Sequence, residues 1–187
     1  MIPGNAILEA PLVGVFLFPE RAPYNPTRHV VLGGVAVGDP SQGRQVQQWE
    51  AVLSEGVINV KPVNSGAVLT LSAPGATTVA LAFDSNMGVT LAWQAGTTSS
   101  IYYFNSLVGA YVTEVIPGTT SCRLCVDDAR DSYMAASDVI FSYVRAGALY
   151  WRQQRDRYAV ERLVGATTKK IIRTGLSSAN RLQFECQ

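Results

Sequence analysis

The stretch Leu81–Val115, LAFDSNMGVTLAWQAGTTSSIYYFNSLVGAYVTEV, decides the fold, because a second stretch repeats its plan. That second copy is Leu124–Val164, LCVDDARDSYMAASDVIFSYVRAGALYWRQQRDRYAVERLV. Each reads as strand, acidic turn, strand, Gly-containing turn, aromatic strand, strand. Leu81–Asp84 aligns with Leu124–Asp127, and Val89–Trp93 with Val139–Tyr143. Ile101–Phe104 then aligns with Leu149–Arg152, and Tyr111 with Tyr158. The spacing between copies grows across an extra loop, Ala129–Ala136, and shrinks again as later turns shorten. A four-stranded antiparallel meander of this length is the repeating unit of a propeller blade. One such unit has two apolar faces and buries them only by stacking on another.

Working outward, the rest of the chain carries the same signals. Short runs rich in Val, Ile, Tyr, Phe, Trp and Thr alternate with Gly, Pro, Asn and Ser. No long segment has the apolar spacing of an amphipathic helix. Fifteen strands are predicted. They begin with Val13–Phe18, Val30–Val37, Val46–Leu53, Val57–Pro62 and Ala67–Ser72. They end with Tyr158–Val164, Lys170–Thr174 and Arg181–Glu185. One helical turn is expected within Asp128–Ser137. The fold class is therefore all-β, either an antiparallel sandwich or propeller-blade-like meanders, with very little helix. A diverged third copy precedes Pro74. The expected organisation is an N-terminal β-rich segment, 1–74, with a Pro-rich arm at 19–28. A β domain, 75–187, follows and carries the two repeats and a basic end.

Composition narrows the function. Charged residues make up only 16% of the chain, against about 25% in average globular domains. A surface so poor in charge suits a protein packed against copies of itself or other subunits. Met1–Tyr150 holds seven basic and eleven acidic residues, and Trp151–Gln187 holds eight and three. Ends of opposite sign suit head-to-tail or stacked association, nucleic acid, or simply a solvated positive face. The most apolar run, Leu12–Phe18, has seven residues, and a spanning helix needs about 20. Met1–Ala10 lacks the basic flank of a secretory leader and carries Glu9, which predicts assembly in a cytoplasm. The three cysteines, Cys122, Cys125 and Cys186, show no disulfide-framework spacing.

Catalytic signatures are missing. His29 is the single histidine, and no G-x-S-x-G elbow or phosphate-binding loop is present. Cys122 and Cys125 have C-x-x-C spacing but lie on a predicted strand, where residues three apart face opposite sides. No second ligand pair completes a zinc site. Asp127, Asp128, Asp131 and Asp138 lack the alternation and central glycine of a calcium loop. Asp84 and Asp127, at equivalent turns, instead suit capping of the turn backbone. No cofactor, no metal and no enzymatic activity are expected.

One stretch carries candidate contacts: Tyr150, Trp151, Arg152, Arg155, Arg157 and Tyr158. On a continuous strand Tyr150, Arg152 and Tyr158 share one face, and Trp151, Arg155 and Arg157 share the other. This mixture suits a protein interface or internal ion pairs, a sugar site, or stacked nucleic-acid bases. Asp156, between two arginines, argues against a pure phosphate patch. Nucleic acid contact is accordingly not expected. Trp93, Tyr103, Tyr150 and Trp151 are the aromatics available to a glycan.

The stretch Asp138-Val-Ile-Phe-Ser-Tyr-Val-Arg-Ala-Gly-Ala-Leu-Tyr-Trp-Arg-Gln-Gln-Arg-Asp-Arg-Tyr158, with the ending Asn180-Arg-Leu-Gln-Phe-Glu185, resembles C-terminal regions of virion structural proteins of tailed bacteriophages. The resemblance spans roughly Val79–Glu185 and extends weakly to Gly38-Asp39-Pro40-Ser41-Gln42-Gly43. It implies a tail or tail-adjacent subunit, repeated in a ring or collar, made in the host cytoplasm and carried in the virion. The implied partners are copies of itself and other tail or neck proteins. A full propeller nozzle needs a longer chain, which leaves a smaller decorating or adaptor subunit. The alternative is a receptor- or glycan-binding module of a tail fibre, bound to a host surface glycan.

Overall fold

The computed structural model describes residues 28–37, 45–63, 66–84, 88–127, 138–176 and 182–187. The predicted strand Val13–Phe18, the prolines of the 19–28 arm and the helical turn in 128–137 lie outside these residues. Every predicted strand from Val30 onward has a counterpart.

Among the described residues fourteen strands follow in chain order: β1 Arg28–Val37, β2 Gln45–Ser54, β3 Val57–Pro62, β4 Leu69–Ser72, β5 Ala76–Phe83, β6 Val89–Ala95 and β7 Thr98–Asn105. They continue with β8 Ala110–Pro117, β9 Thr119–Asp127, β10 Asp138–Arg145, β11 Ala148–Gln153, β12 Arg162–Ala166, β13 Ile171–Leu176 and β14 Leu182–Cys186. One turn of 3₁₀ helix, Gln154–Asp156, follows β11. The strands form three antiparallel meanders, β1–β4, β5–β8 and β9–β12, and a terminal hairpin, β13–β14. The fold is all-β. The second and third sheets are the two repeats, and the first is the diverged copy before Pro74.

Local chemistry sets the hairpins. Glu55–Gly56 and Ala146–Gly147 have positive φ at both residues and close two-residue loops between paired Ser54–Val57 and Arg145–Ala148. This is the turn whose twist matches that of the strands. Hairpin pairing places Ser100 opposite Trp93 and Tyr150 opposite Tyr143. Ser100, not Tyr102, is therefore the counterpart of Tyr150. The alignment of Ile101 with Leu149 slips by two residues, which preserves the face each side chain points to.

The sheets stack face to face. Val79, Leu81 and Phe83 of β5 pack with Leu91 and Trp93 against Ala51, Leu53, Ile58 and Val60 of the first sheet. The alternate residues Ala80, Ala82, Ala92, Ile101 and Tyr103 pack against Leu124, Val139, Phe141 and Tyr143 of the third. Successive side chains of β5, β6 and β7 point to opposite faces, and these strands contribute to both cores. Val144 and Leu149 turn to the hairpin and meet Ile171, Phe184 and Cys186. The first sheet thus shares a core with β5 and β6 of the second, while the core between the second and third sheets is built from residues after Pro74 alone.

Between sheets, β1 and β2 approach β5, β9 approaches β5, β6 and β7, and β13 approaches β9. The outer strands β4, β8 and β12 make none of the main inter-sheet approaches. The stacked antiparallel sheets are consistent with a sandwich-type all-β fold. Polar pairs lie at both ends of the stack. On the outer face of the first sheet Lys61 pairs with Glu50 at 3.1 Å, and Thr70 donates to Asn59 at 2.9 Å. On the outer face of the hairpin Arg173 lies 3.7 Å from Glu185.

Candidate interaction surface

The stretch from Tyr150 to Tyr158 is not one continuous strand. β11 stops at Gln153, the 3₁₀ turn follows, and Arg157 and Tyr158 adopt left-handed φ of 52° and 56°. The predicted strand Tyr158–Val164 therefore begins only at Arg162, and the expected face alternation ends at Gln153. The turn folds back onto the second sheet. Gln154 Nε2 donates to Asp84 Oδ2 at 2.8 Å. Tyr158 is fully buried, edge-on to Tyr103 with centroids 4.6 Å apart. Tyr158 is thus a core residue and offers no surface to a ligand.

The neighbouring side chains are largely occupied with one another. Tyr143 donates its hydroxyl proton to Glu161 Oε2. Arg152 donates from Nε to the Tyr143 oxygen at 2.8 Å, from Nη1 to the Tyr158 carbonyl at 3.1 Å and from Nη2 to Glu161 at 3.2 Å. Arg145 reaches the other Glu161 oxygen at 2.5 Å and lies 5.3 Å over the Tyr150 ring. Burial pushes the Glu161 carboxyl up, but the Tyr143 and Arg152 hydrogen bonds and the two arginine charges outweigh it and hold it below the usual range. Burial and the Glu161 hydrogen bond push the Tyr143 hydroxyl up. Trp151 lies half-buried under the Arg162 guanidinium, 4.8 Å from its ring. Arg162 also pairs with Asp156, whose carboxyl its hydrogen bond holds low. Arg155 and Arg157 are the exposed members. Of the readings open for this stretch, the geometry displays internal ion pairs.

The remaining candidates separate. Asp84 caps its turn: the Gly88 amide donates to Oδ1 at 2.7 Å. A Cβ on Gly88 would stand 2.7 Å from Oδ2, so the cap and the glycine require each other. Asp127 ends β9, paired with Asp138; its side chain lies outside the described residues. His29 pairs with Leu53 in β1. Cys122 faces the second sheet, and burial pushes its thiol up to about 11. Its neighbours Ser121 and Arg123 face the hairpin, bonded to the Ile171 amide and the Ile172 carbonyl. Cys125 shares their side of the strand. Trp93 and Tyr103 are buried, which removes both from any sugar platform.

A second feature went unmarked in the sequence. Val68, Phe104, Leu107, Val108, Tyr111 and Val115 are exposed, as are Val160, Leu163 and Val164. All of them lie on or beside the outer strands β4, β8 and β12. Tyr111 stacks on Tyr102 at 4.9 Å and meets Phe104 edge-on at 5.4 Å. The available signal was Glu114. In AYVTEV it reads as the solvent-facing residue, which would turn Tyr111 and Val115 inward. Instead Glu114 faces the third sheet and accepts the Tyr103 hydroxyl proton at 2.5 Å, leaving Tyr111 and Val115 outside.

No family model, curated protein or solved structure matches the chain.

Proposed function

We propose that this chain is a non-catalytic structural subunit of a tailed-bacteriophage virion, placed in the tail or head–tail region. There it serves as a ring, collar or adaptor component that contacts copies of itself and neighbouring tail proteins. The observation that carries the reading is the location of the large exposed apolar side chains, which among the described residues all lie on or beside the outer strands of the three sheets. Exposed apolar surface concentrated on one rim marks a contact surface. The low charge of the chain and the wording of Asp138–Tyr158 agree. The glycan-binding alternative loses Trp93 and Tyr103 to the core and keeps only half-covered Tyr150 and Trp151.

The test is the protein composition of purified particles from phage that carry this gene. The reading expects the chain at a fixed copy number, retained through density-gradient purification, with tailless or neck-defective particles when the gene is disrupted. Intact, infectious particles that lack the chain would contradict it.

A further inference from the structure

The outer strands do not present equal edges. β4 has four residues and β12 has five. β12 carries Arg162, and its pairing with β11 is interrupted between Leu149 and Tyr150. Short, charged or bulged edges resist pairing with another chain. β8 is neither short nor bulged. It runs eight residues in unbroken register with β7, Asn105 opposite Ala110 through Thr98 opposite Pro117. It ends the second sheet's strand order. Its single charge, Glu114, is held against Tyr103 on the side facing the third sheet. The other side presents Tyr111, Thr113 and Val115, all uncharged and exposed.

The strand is also complementary to itself. In an antiparallel pairing centred on Thr113, Thr113 meets its own copy and Tyr111 meets Val115 of the other copy. Val112 meets Glu114, so no two like charges stand opposite. Aromatic against β-branched and Thr against Thr are favourable cross-strand pairs, and opposed like charges are the unfavourable ones. We infer that a second copy of this chain occupies the β8 edge, the two β8 strands pairing antiparallel about Thr113 to join the second sheets into one eight-stranded sheet. The contact is isologous, with the same strand on both sides of a twofold axis. The inference goes beyond the virion reading and does not depend on it.

Thr113→Cys, in a Cys186→Ser background, tests the register. Directly opposed residues in an antiparallel pair stand about 4.5–5.5 Å apart at Cα, within disulfide reach. Mild oxidation should convert most of this variant to a covalent dimer. Tyr111→Cys alone should give none, while Tyr111→Cys mixed with Val115→Cys should. Thr113→Lys and Thr113→Glu, both at an exposed position, should each halve the native mass, and their equimolar mixture should restore it. A wild-type monomer at every concentration, or a dimer that neither crosslinks at Thr113 nor responds to the charged variants, would overturn the pairing. Either result leaves the virion reading to particle composition.

Discussion

Tyr158 stands edge-on to Tyr103, the ring centroids 4.6 Å apart and the planes at 73°. The two rings join a residue of the third sheet's extra turn to the middle strand pair of the second. The Tyr103 hydroxyl oxygen lies 3.1 Å from the Arg157 carbonyl, beside the turn that delivers Tyr158. Phe141 closes the cluster, its ring 6.5 Å from Tyr158. The turn from Gln154 to Tyr158 is therefore a clamp between sheets.

Tyr158→Ala should cost about 3–5 kcal/mol, the usual range for emptying an aromatic site in a core. Urea unfolding at neutral pH measures it. Arg155→Ala, on the exposed side of the same turn, should stay within about 0.5 kcal/mol of wild type.

Glu161→Gln should destabilise the fold at neutral pH by about 1–3 kcal/mol, the cost of weakening charged hydrogen bonds to Tyr143, Arg152 and Arg145. The Glu161 carboxyl is held below its ordinary value in the folded chain. Its contribution is thus complete above the unfolded value of about 4.3 and is lost as pH falls through the folded value. The stability gap between wild type and Glu161→Gln should be widest near neutral pH and should close progressively below about pH 4. Urea midpoints taken across that range check the sign.

Ser99 links the second sheet to the start of the third. Its hydroxyl lies 2.7 Å from both Gln94 Oε1 and Thr119 Oγ1, and Gln94 Nε2 donates to the Thr119 carbonyl at 3.0 Å. Gln94, Ser99 and Thr119 are all buried. Ser99→Ala removes both 2.7 Å contacts and leaves Gln94 Oε1 only the longer bond from Thr119 Oγ1 at 3.5 Å, and should cost about 1–3 kcal/mol. Thermal unfolding reads this as a lower Tm.

Thiol accessibility should divide the cysteines. Cys122 and Cys125 are buried and Cys186 is partly exposed. Burial raises the Cys122 thiol to about 11, so almost none is thiolate near pH 8, and the thiolate is the reactive form. An aromatic disulfide reagent should titrate Cys186 alone in the native protein and all three thiols in denaturant.

The sequence made the strands legible because β5, β6 and β7 contribute to cores on both faces of the middle sheet, and alternation with tight turns survives in each copy. The two-residue slip at Leu149 arose from matching apolar residues, whereas the Ala146–Gly147 turn sets the register. Tyr158 was read as a ligand contact because a strand was extended through Gln154–Asp156. Nothing in the residue types there announces that Arg157 and Tyr158 both take positive φ. Asp84 was legible as a cap because carboxylate and glycine stand together in its turn. The apolar rim was hidden by Glu114, whose inward carboxylate depends on Tyr103, eleven residues away in sequence.

The central claim is that the chain assembles through its apolar outer strands and not through the Tyr150–Tyr158 stretch. Native mass by light scattering, on wild type, Val115→Asp, Leu163→Asp and Trp151→Ala, tests it most directly. The account predicts a discrete oligomer for wild type and for Trp151→Ala, with a smaller species for at least one of the two outer-strand variants. An oligomer that survives both outer-strand substitutions, or that falls apart with Trp151→Ala alone, would contradict it, as would a wild-type monomer.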